Sequence, residues 1–272
     1  MESRCRHRLA SALLTAAVLI SCGGSGGRGG SGFPPVSNTN FEAQEPFSTT
    51  VAVGNHTQLN LQVKNGDITV TGMSGATSVV IAAMRRVQSE STQDAQAHLQ
   101  DLKVNVQNLA PQVRVETIQP QDTGGRKYIV DYTITLPRYF TIHVNSLNGI
   151  VTLDSIDNDV GVNNLNGQVI LKKITGSASI DLLTGAIECE VSLPLNGVID
   201  LTTLSGDISL AIPTNTSAHF SAAVSMGGIS VSNLVLQQEV KTSTSWSGTL
   251  GSGQGTIFLE AEQIGDISVS GV

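Results

Sequence analysis

The stretch SLNGIVTLDSIDNDVGVNNLNGQVIL, Ser146–Leu171, states one phrase twice. Leu147-Asn148-Gly149 is followed by Val151 and Leu153; Leu165-Asn166-Gly167, eighteen residues on, is followed by Val169 and Leu171. Within each copy apolar residues alternate with polar ones, the period of a β-strand with one buried face. Glycine and asparagine stand where the chain must turn, because both tolerate positive φ.

Worked outward, the beat continues. Gly149, Asn158, Gly167, Gly176 and Gly185 are nine residues apart, and after a three-residue insertion near Pro194 the beat resumes at Gly197, Gly206 and Asn215. Two beats make a unit of eighteen residues, and aligned units give columns. One half gives Leu147, Leu165, Leu183 and Leu204, then Val151, Val169, Ile187 and Ile208, then Leu153, Leu171, Cys189 and Leu210. The other half gives Ile156, Ile174 and Leu195, then Val160, Ala178 and Ile199, then Val162, Ile180 and Leu201. All these columns are expected to fill one shared interior, which would bury Cys189.

A single unit buries too little apolar surface to offset the entropy of ordering it. Stacked units share ladder hydrogen bonds and a common core, so repetition is required. The expected fold is all-β: a two-sided β-solenoid, β-helix-like, with parallel rungs and one short helix in the N-terminal part. Asn-Gly between alternating runs is also a hairpin signal, which makes an antiparallel β-sandwich the alternative. The match of like with like at eighteen residues favours the solenoid. One outward column, Asp154, Lys172 and Glu190, would alternate in sign at about 4.8 Å spacing. That is a solvated ladder, worth about 0.2–1 kcal/mol per pair.

The repeats occupy residues 141–272 and follow an N-terminal β part, residues 46–140. There Leu59-Asn60-Leu61-Gln62-Val63 and Asp67-Ile68-Thr69-Val70 read as strands, as do Val104–Val106, Val113–Ile118 and Tyr128–Ile134 after a loop at Gln119–Arg126. Ser91–Lys103 is the exception: Ser91 with Asp94 resembles a capping box, and Ala95, Leu99 and Leu102 share one helical face.

Residues 1–21 read as a signal peptide, with Arg4, Arg6 and Arg8 before the apolar run Leu9–Ile20. The run is too short to span a bilayer, which needs about 20 apolar residues. Leu19-Ile20-Ser21-Cys22 resembles the lipobox of bacterial lipoproteins, which implies lipidation at Cys22 as the first mature residue; an ordinary cleaved signal is the alternative. Residues 22–45 follow as a Gly/Ser-rich tether, with an r.m.s. reach of about 25 Å. Cys5 would leave with the signal and Cys22 would be acylated, so Cys189 has no disulfide partner. The mature chain carries 12 basic residues against 21 acidic, which argues against nucleic acid and against electrostatic attraction to anionic lipid.

Catalytic and metal signatures are missing from the sequence. His56, His98, His143 and His219 show no metal-ligand spacing and read as surface or strand residues; there is no HExxH, CxxC or GxSxG. Gly251-Ser252-Gly253-Gln254-Gly255 lacks the Lys-Ser/Thr of a phosphate loop and reads as a turn before the strand Thr256–Glu260. Gly-Asp-Ile occurs three times, with Asp67, Asp207 and Asp266. The denser Gly-Gly-x-Gly-x-Asp run of a calcium β-roll is absent, so these aspartates read as turn residues. Trp246, the one tryptophan, lies in TSTSWSGTLGSG, which reads as a polar loop, and is expected to plug the solenoid's C-terminal end rather than to be an exposed binding anchor.

VKNGDITVTG (Val63–Gly72), the helix with Ala95 and Leu99, VDYTITLP (Val130–Pro137), VNSLNGIVTLDSI and the closing IGDISVSG (Ile264–Gly271) resemble, in that order, a bacterial envelope family of unknown function that carries an adhesin label and β-strand repeats. The resemblance runs from about Phe47 to Val272 and implies an exported, often membrane-anchored repeat protein with no catalytic residues to carry over.

The expectation is therefore a non-catalytic, lipid-anchored envelope protein, at the outer membrane or facing the periplasm. Its β-repeat body would bind or scaffold through a flat face rich in Thr, Ser and Asn. No cofactor or metal is expected; the partners would be the membrane, through the lipid on Cys22, and an envelope glycan or protein. A polysaccharide-active enzyme is one alternative, which a cleft with two carboxylates would favour. A structural or stress-related component bound to a partner protein is the other, which an exposed apolar patch would favour.

Overall fold

The computed structural model describes residues 39–272. The chain opens with β1 (Phe41–Ala52), β2 (Gln58–Asn65), β3 (Ile68–Met73) and β4 (Ser78–Ser89), then α1 (Thr92–His98). β5 (Lys103–Leu109), β6 (Gln112–Ile118) and β7 (Lys127–Pro137) complete the N-terminal part. The eighteen-residue phrase becomes β8 (Thr141–Asn148), β9 (Val151–Asp154), β10 (Val160–Asn166), β11 (Val169–Ile174), β12 (Ala178–Thr184), β13 (Ile187–Val191), β14 (Val198–Ser205) and β15 (Ile208–Ile212). The C-terminal part holds β16 (Ala218–Val224), β17 (Ile229–Ser232), β18 (Leu236–Lys241), β19 (Ser245–Leu250), β20 (Gly255–Ile264) and β21 (Ile267–Gly271).

The strands form a ten-stranded and an eleven-stranded sheet around one core. Among β8–β15 every pairing is parallel, and the register gives the expected columns at Val160 beside Ala178, Val162 beside Ile180, Val169 beside Ile187 and Leu171 beside Cys189. Parallel stacking establishes the solenoid over the antiparallel sandwich. Cys189 is buried in its column, and burial pushes its thiol pKa up.

Rungs do not stack in chain order. β2 lies between β6 and β8, and β3 between β7 and β9, so the first rung sits between two later ones. At the other end β20 lies between β14 and β16, and β21 between β15 and β17. The last rung made is therefore an internal rung. Antiparallel strands close the ends: β1 and β4 against β7, β5 against β6, and β18 and β19 against β16. They cover edges that would otherwise template further pairing.

α1 starts as its sequence indicates, with Ser91 Oγ accepting from the Asp94 amide at 3.1 Å, and a 3-10 turn, Leu99–Asp101, extends it. Ala95, Leu99 and Leu102 are buried as expected. Asp94 also takes a two-pronged ion pair from Arg126, at 2.6 and 2.7 Å, which ties the end of the 119–126 loop to the helix. The Arg126 guanidinium, with the Ser89 hydroxyl second, holds the Asp94 carboxyl well below the usual carboxylate range. A depressed folded pKa gives stability that is complete above the unfolded value of about 3.9 and is lost as pH falls through the folded value. Asp94→Asn is thus expected to be less stable than the wild type at neutral pH, with the gap closing as pH drops below about 4. Urea unfolding at several pH values tests this; a gap that does not vary with pH contradicts it.

The corners that follow β8, β10, β12, β14 and β20 of the eleven-stranded sheet form a column of glycines. Gly149, Gly167, Gly185, Gly206 and Gly265 all have φ between +134° and +159°. A Cβ on Gly167 would stand 2.0 Å from the Gly149 carbonyl oxygen, and one on Gly185 would stand 1.6 Å from that of Gly167. Glycine is required here by conformation and by the closeness of the rung beside it.

Three expectations need correction. Leu147, Leu165 and Leu183 do stack, but 46%, 41% and 40% exposed, on the outside; Leu204 is half-buried in the same outer column. The interior position belongs to Ser146, Asn164, Leu182 and Thr203. Alternation holds along a strand but does not carry through the glycine corner: Leu147 and Val151, four residues apart across Gly149, lie on opposite faces. Leu195 leaves its column and is 69% exposed, because the insertion near Pro194 lets Val191 pair with Ile174 instead. The stretch around Trp246 is strand β19 and not a loop; its backbone pairs antiparallel with β16.

Candidate recognition face

The outer surface of the ten-stranded sheet is built by residues that alternate with the core. Where Val70, Leu153 and Ile134 point in, their neighbours point out. Parallel register places Thr133, Thr69 and Thr152 side by side in one row, and Thr135, Thr71 and Asp154 in the next. The rows run on through Ile170 and Glu188, and through Lys172, to Ser209, Ser268 and Ser230 in the first and Ser270 and Ser232 in the second. The face is thus hydroxyl-rich at both ends and charged in the middle. Asp154 and Lys172 pair in register as expected, with Glu190 on the next strand, but no ion pair within 4.0 Å links the three among the described residues.

Relief on the surface is low. A depression of about 270 Å³ over Ile170, Lys172, Glu188 and Glu190 is open to solvent, and one of about 390 Å³ lies among Ser192–Leu195 and Pro213–Ser217, except Thr214. Neither has an aromatic side chain in its lining on which a sugar ring could stack.

The residues singled out in the sequence are spread over the body and do not converge. His143 and His219 are exposed on the eleven-stranded sheet, and His98 ends α1 between Asp94 and Asp101. His56 departs from expectation: it is buried in a turn, with Nδ1 2.5 Å from the Val53 carbonyl oxygen. Among the described residues, no group of three or more His, Cys, Asp or Glu side chains could hold a metal ion. The Gly-Asp-Ile aspartates clip rungs together: Asp67 accepts from the Ile150 amide at 2.9 Å, Asp207 from the Asp266 amide at 2.8 Å, and Asp266 from the Gly228 amide at 2.7 Å. Trp246 packs against the core near the C-terminal end of the stack, with Lys241 Nζ 3.3 Å from its ring centroid, a cation–π contact. Cys22, the expected lipidation position, lies outside the described residues.

Asparagine forms a second periodic feature. Asn148 donates to Asn65 at 2.8 Å and Asn166 to Asn148 at 3.0 Å along the glycine corner, while Asn163 donates to Asn145 at 3.1 Å on the eleven-stranded sheet. These amides are engaged with one another; of the hydroxyls in the two rows, Ser230 and Ser232 donate at 3.5 and 3.4 Å to the Ile267 and Val269 carbonyls, and the threonines are the freer polar groups.

Among curated proteins, none matches the chain. Of solved structures, a "putative cell adhesion protein" from Clostridium sporogenes shares 11% identity over 85% of this chain and 100% of its own, with a TM-score of 0.47. A "putative adhesin" from Bacteroides fragilis shares 13% over 83% and 97%, with a TM-score of 0.41. A "putative lipid binding protein" from Parabacteroides distasonis shares 12% over 84% and 95%, with a TM-score of 0.29. The chain belongs to the Toastrack DUF4097 family, which matches residues 28–270.

Proposed function

We propose, with that family membership as premise, that the protein is a non-catalytic recognition module of the bacterial cell envelope. It is lipid-anchored through Cys22 and binds an envelope polymer along the outer face of its ten-stranded sheet. The observation that carries the reading is the in-register hydroxyl rows, Thr133-Thr69-Thr152 and Ser209-Ser268-Ser230. Hydroxyls repeated at the rung spacing of about 4.8 Å suit a ligand that itself repeats polar groups, such as a glycan strand. Each hydrogen bond to such a ligand adds only about 0.5–1.5 kcal/mol, so affinity comes from repetition. Among the described residues no helix is long and apolar enough to cross a membrane, and a lipid on Cys22 would supply the anchor.

Two measurements test this. Residues 41–272 hold the whole described core, from Ala43 to Val269, and are the fragment to screen against envelope glycans and envelope extract. Thr133→Val, Thr69→Val and Thr152→Val together are expected to weaken binding about tenfold or more while leaving the fold intact, since valine keeps strand propensity. His219→Ala, on the other sheet, should change nothing. Binding that is absent from all envelope polymers, or indifferent to the threonines, removes the reading. Metabolic labelling with a lipid probe is expected to mark the wild type and not Cys22→Ala; an unlabelled wild type removes the anchor.

A further inference from the structure

The outer face of the eleven-stranded sheet carries an unexplained apolar ridge. Leu147, Leu165, Leu183 and Leu204 follow one another on adjacent parallel strands, β8, β10, β12 and β14. Nothing in the described chain covers the first three, which are among its exposed large hydrophobic residues. At about 4.8 Å per rung the ridge is about 14 Å long. Register puts Lys64 of β2 beside Leu147 at one end, and Glu262 and Gln263 of β20 beside Leu204 at the other.

The rest of this face is polarised in the same sense. Arg114, Asn60 and His143 lie side by side at the Lys64 end. Asp181, Asp200, Glu260 and Glu262 lie towards the other end, and among the described residues none of the four has an ion-pair partner within 4.0 Å. Glu116 is the one acid at the basic end, 3.9 Å from Arg114. Burial, and then the neighbouring Asp181, push the Asp200 pKa up, which is the mark of crowded carboxyls without a counter-charge.

We infer that the ridge is the contact between two copies of this chain, joined by a two-fold axis parallel to the strands that runs their rung stacks in opposite directions. In that arrangement Leu165 of each copy meets Leu183 of the other, and Leu147 meets Leu204. Lys64 comes opposite Glu262 and His143 opposite Asp200, so two of the four unpartnered acids gain a basic partner, while Asp181 and Glu260 face the amides of Asn163 and Gln62. A pairing with stacks in the same direction would set the acidic ends against each other and is disfavoured. The contact is isologous and closes at two copies. It leaves both hydroxyl-rich faces outward on opposite sides, so a repeating ligand could be held twice. The pairing does not depend on that ligand.

Sedimentation of residues 41–272 from low micromolar to near-millimolar concentration tests the inference. The wild type is expected to pass from monomer to dimer, and Leu165→Asp with Leu183→Asp to weaken pairing about 100-fold. Those leucines are outside the core, so the variant should keep its melting profile. Lys64→Glu is expected to weaken pairing about tenfold, and Lys64→Glu with Glu262→Lys to restore it to within about threefold of the wild type. Restoration by the double reversal requires that the two residues meet across copies. A wild type that stays monomeric over the whole range, a dimer indifferent to the leucine substitutions, or a double reversal that does not restore pairing would each overturn the inference, as would capture of the ridge by lipid vesicles without self-association.

Discussion

Gly185→Ala should leave the protein without a stable fold. A Cβ at this position would stand 1.6 Å from the carbonyl oxygen of Gly167 and 2.7 Å from its carbonyl carbon. Both atoms are backbone, held by ladder hydrogen bonds on either side, so neither can step aside. Gly185 also has φ +134°, a conformation in which a side chain is strained by about 1–3 kcal/mol even without neighbours. Strain and overlap together exceed about 4 kcal/mol, a large share of a net stability of about 5–15 kcal/mol. Gly75→Ala is the control. Its φ is also positive, +74°, but nothing lies within 4 Å of the added atom. It should cost about 1 kcal/mol. Urea unfolding of the two variants gives the comparison, and equal losses would show that the stacked corner does not limit the fold.

Removal of residues 255–272 is expected to be as damaging, for a reason that chain order hides. In a solenoid built rung after rung, the last rung lies at the end and its loss shortens the stack. Here β20 bridges β14 and β16, and β21 bridges β15 and β17. The truncation extracts an internal rung and strands everything from Ala218 to Leu250. Ile257, Leu259, Ile267 and Val269 leave the core with it, at about 1.5–3 kcal/mol each. Their sum, about 6–12 kcal/mol, is comparable to the whole net stability. The shortened chain should aggregate or show no cooperative unfolding; a soluble fragment with a sharp transition would refute the interleaved order.

Much of the candidate site follows from a pattern that the residues display openly. Thr69 and Thr71 flank Val70, and Thr133 and Thr135 flank Ile134, so an inward Val or Ile implies outward threonines. That the two pairs lie side by side was not legible. β3 and β7 are more than fifty residues apart in the chain, and nothing local marks them as neighbours. The outward face of the leucine ridge turns on a related point. Leu182 and Leu183 are adjacent, one inward and one outward: alternation along β12 from Ile180 puts Leu182 inward, whereas alternation carried back from Ile187 through the Gly185 corner would put Leu183 there. The clue available in the sequence was alternation within each strand: Val144, Val162, Ile180 and Leu201 point inward, which sets Ser146, Asn164, Leu182 and Thr203 inward and the leucine after each of them outward.

The sequence by itself determined that this protein is made of β rungs, where each rung turns, and which residues within a strand share a face. Alternation and glycine placement are local, and eighteen-residue periodicity repeats that local information along the chain. Only the tertiary structure decided which rungs are neighbours, which side of each corner faces the core, and therefore what the two outer surfaces present. Parallel ladders are held by backbone hydrogen bonds that do not distinguish one rung from another. The order of rungs is consequently set by how the two ends close over the core, through β4 and β7 at one end and β16 and β19 at the other.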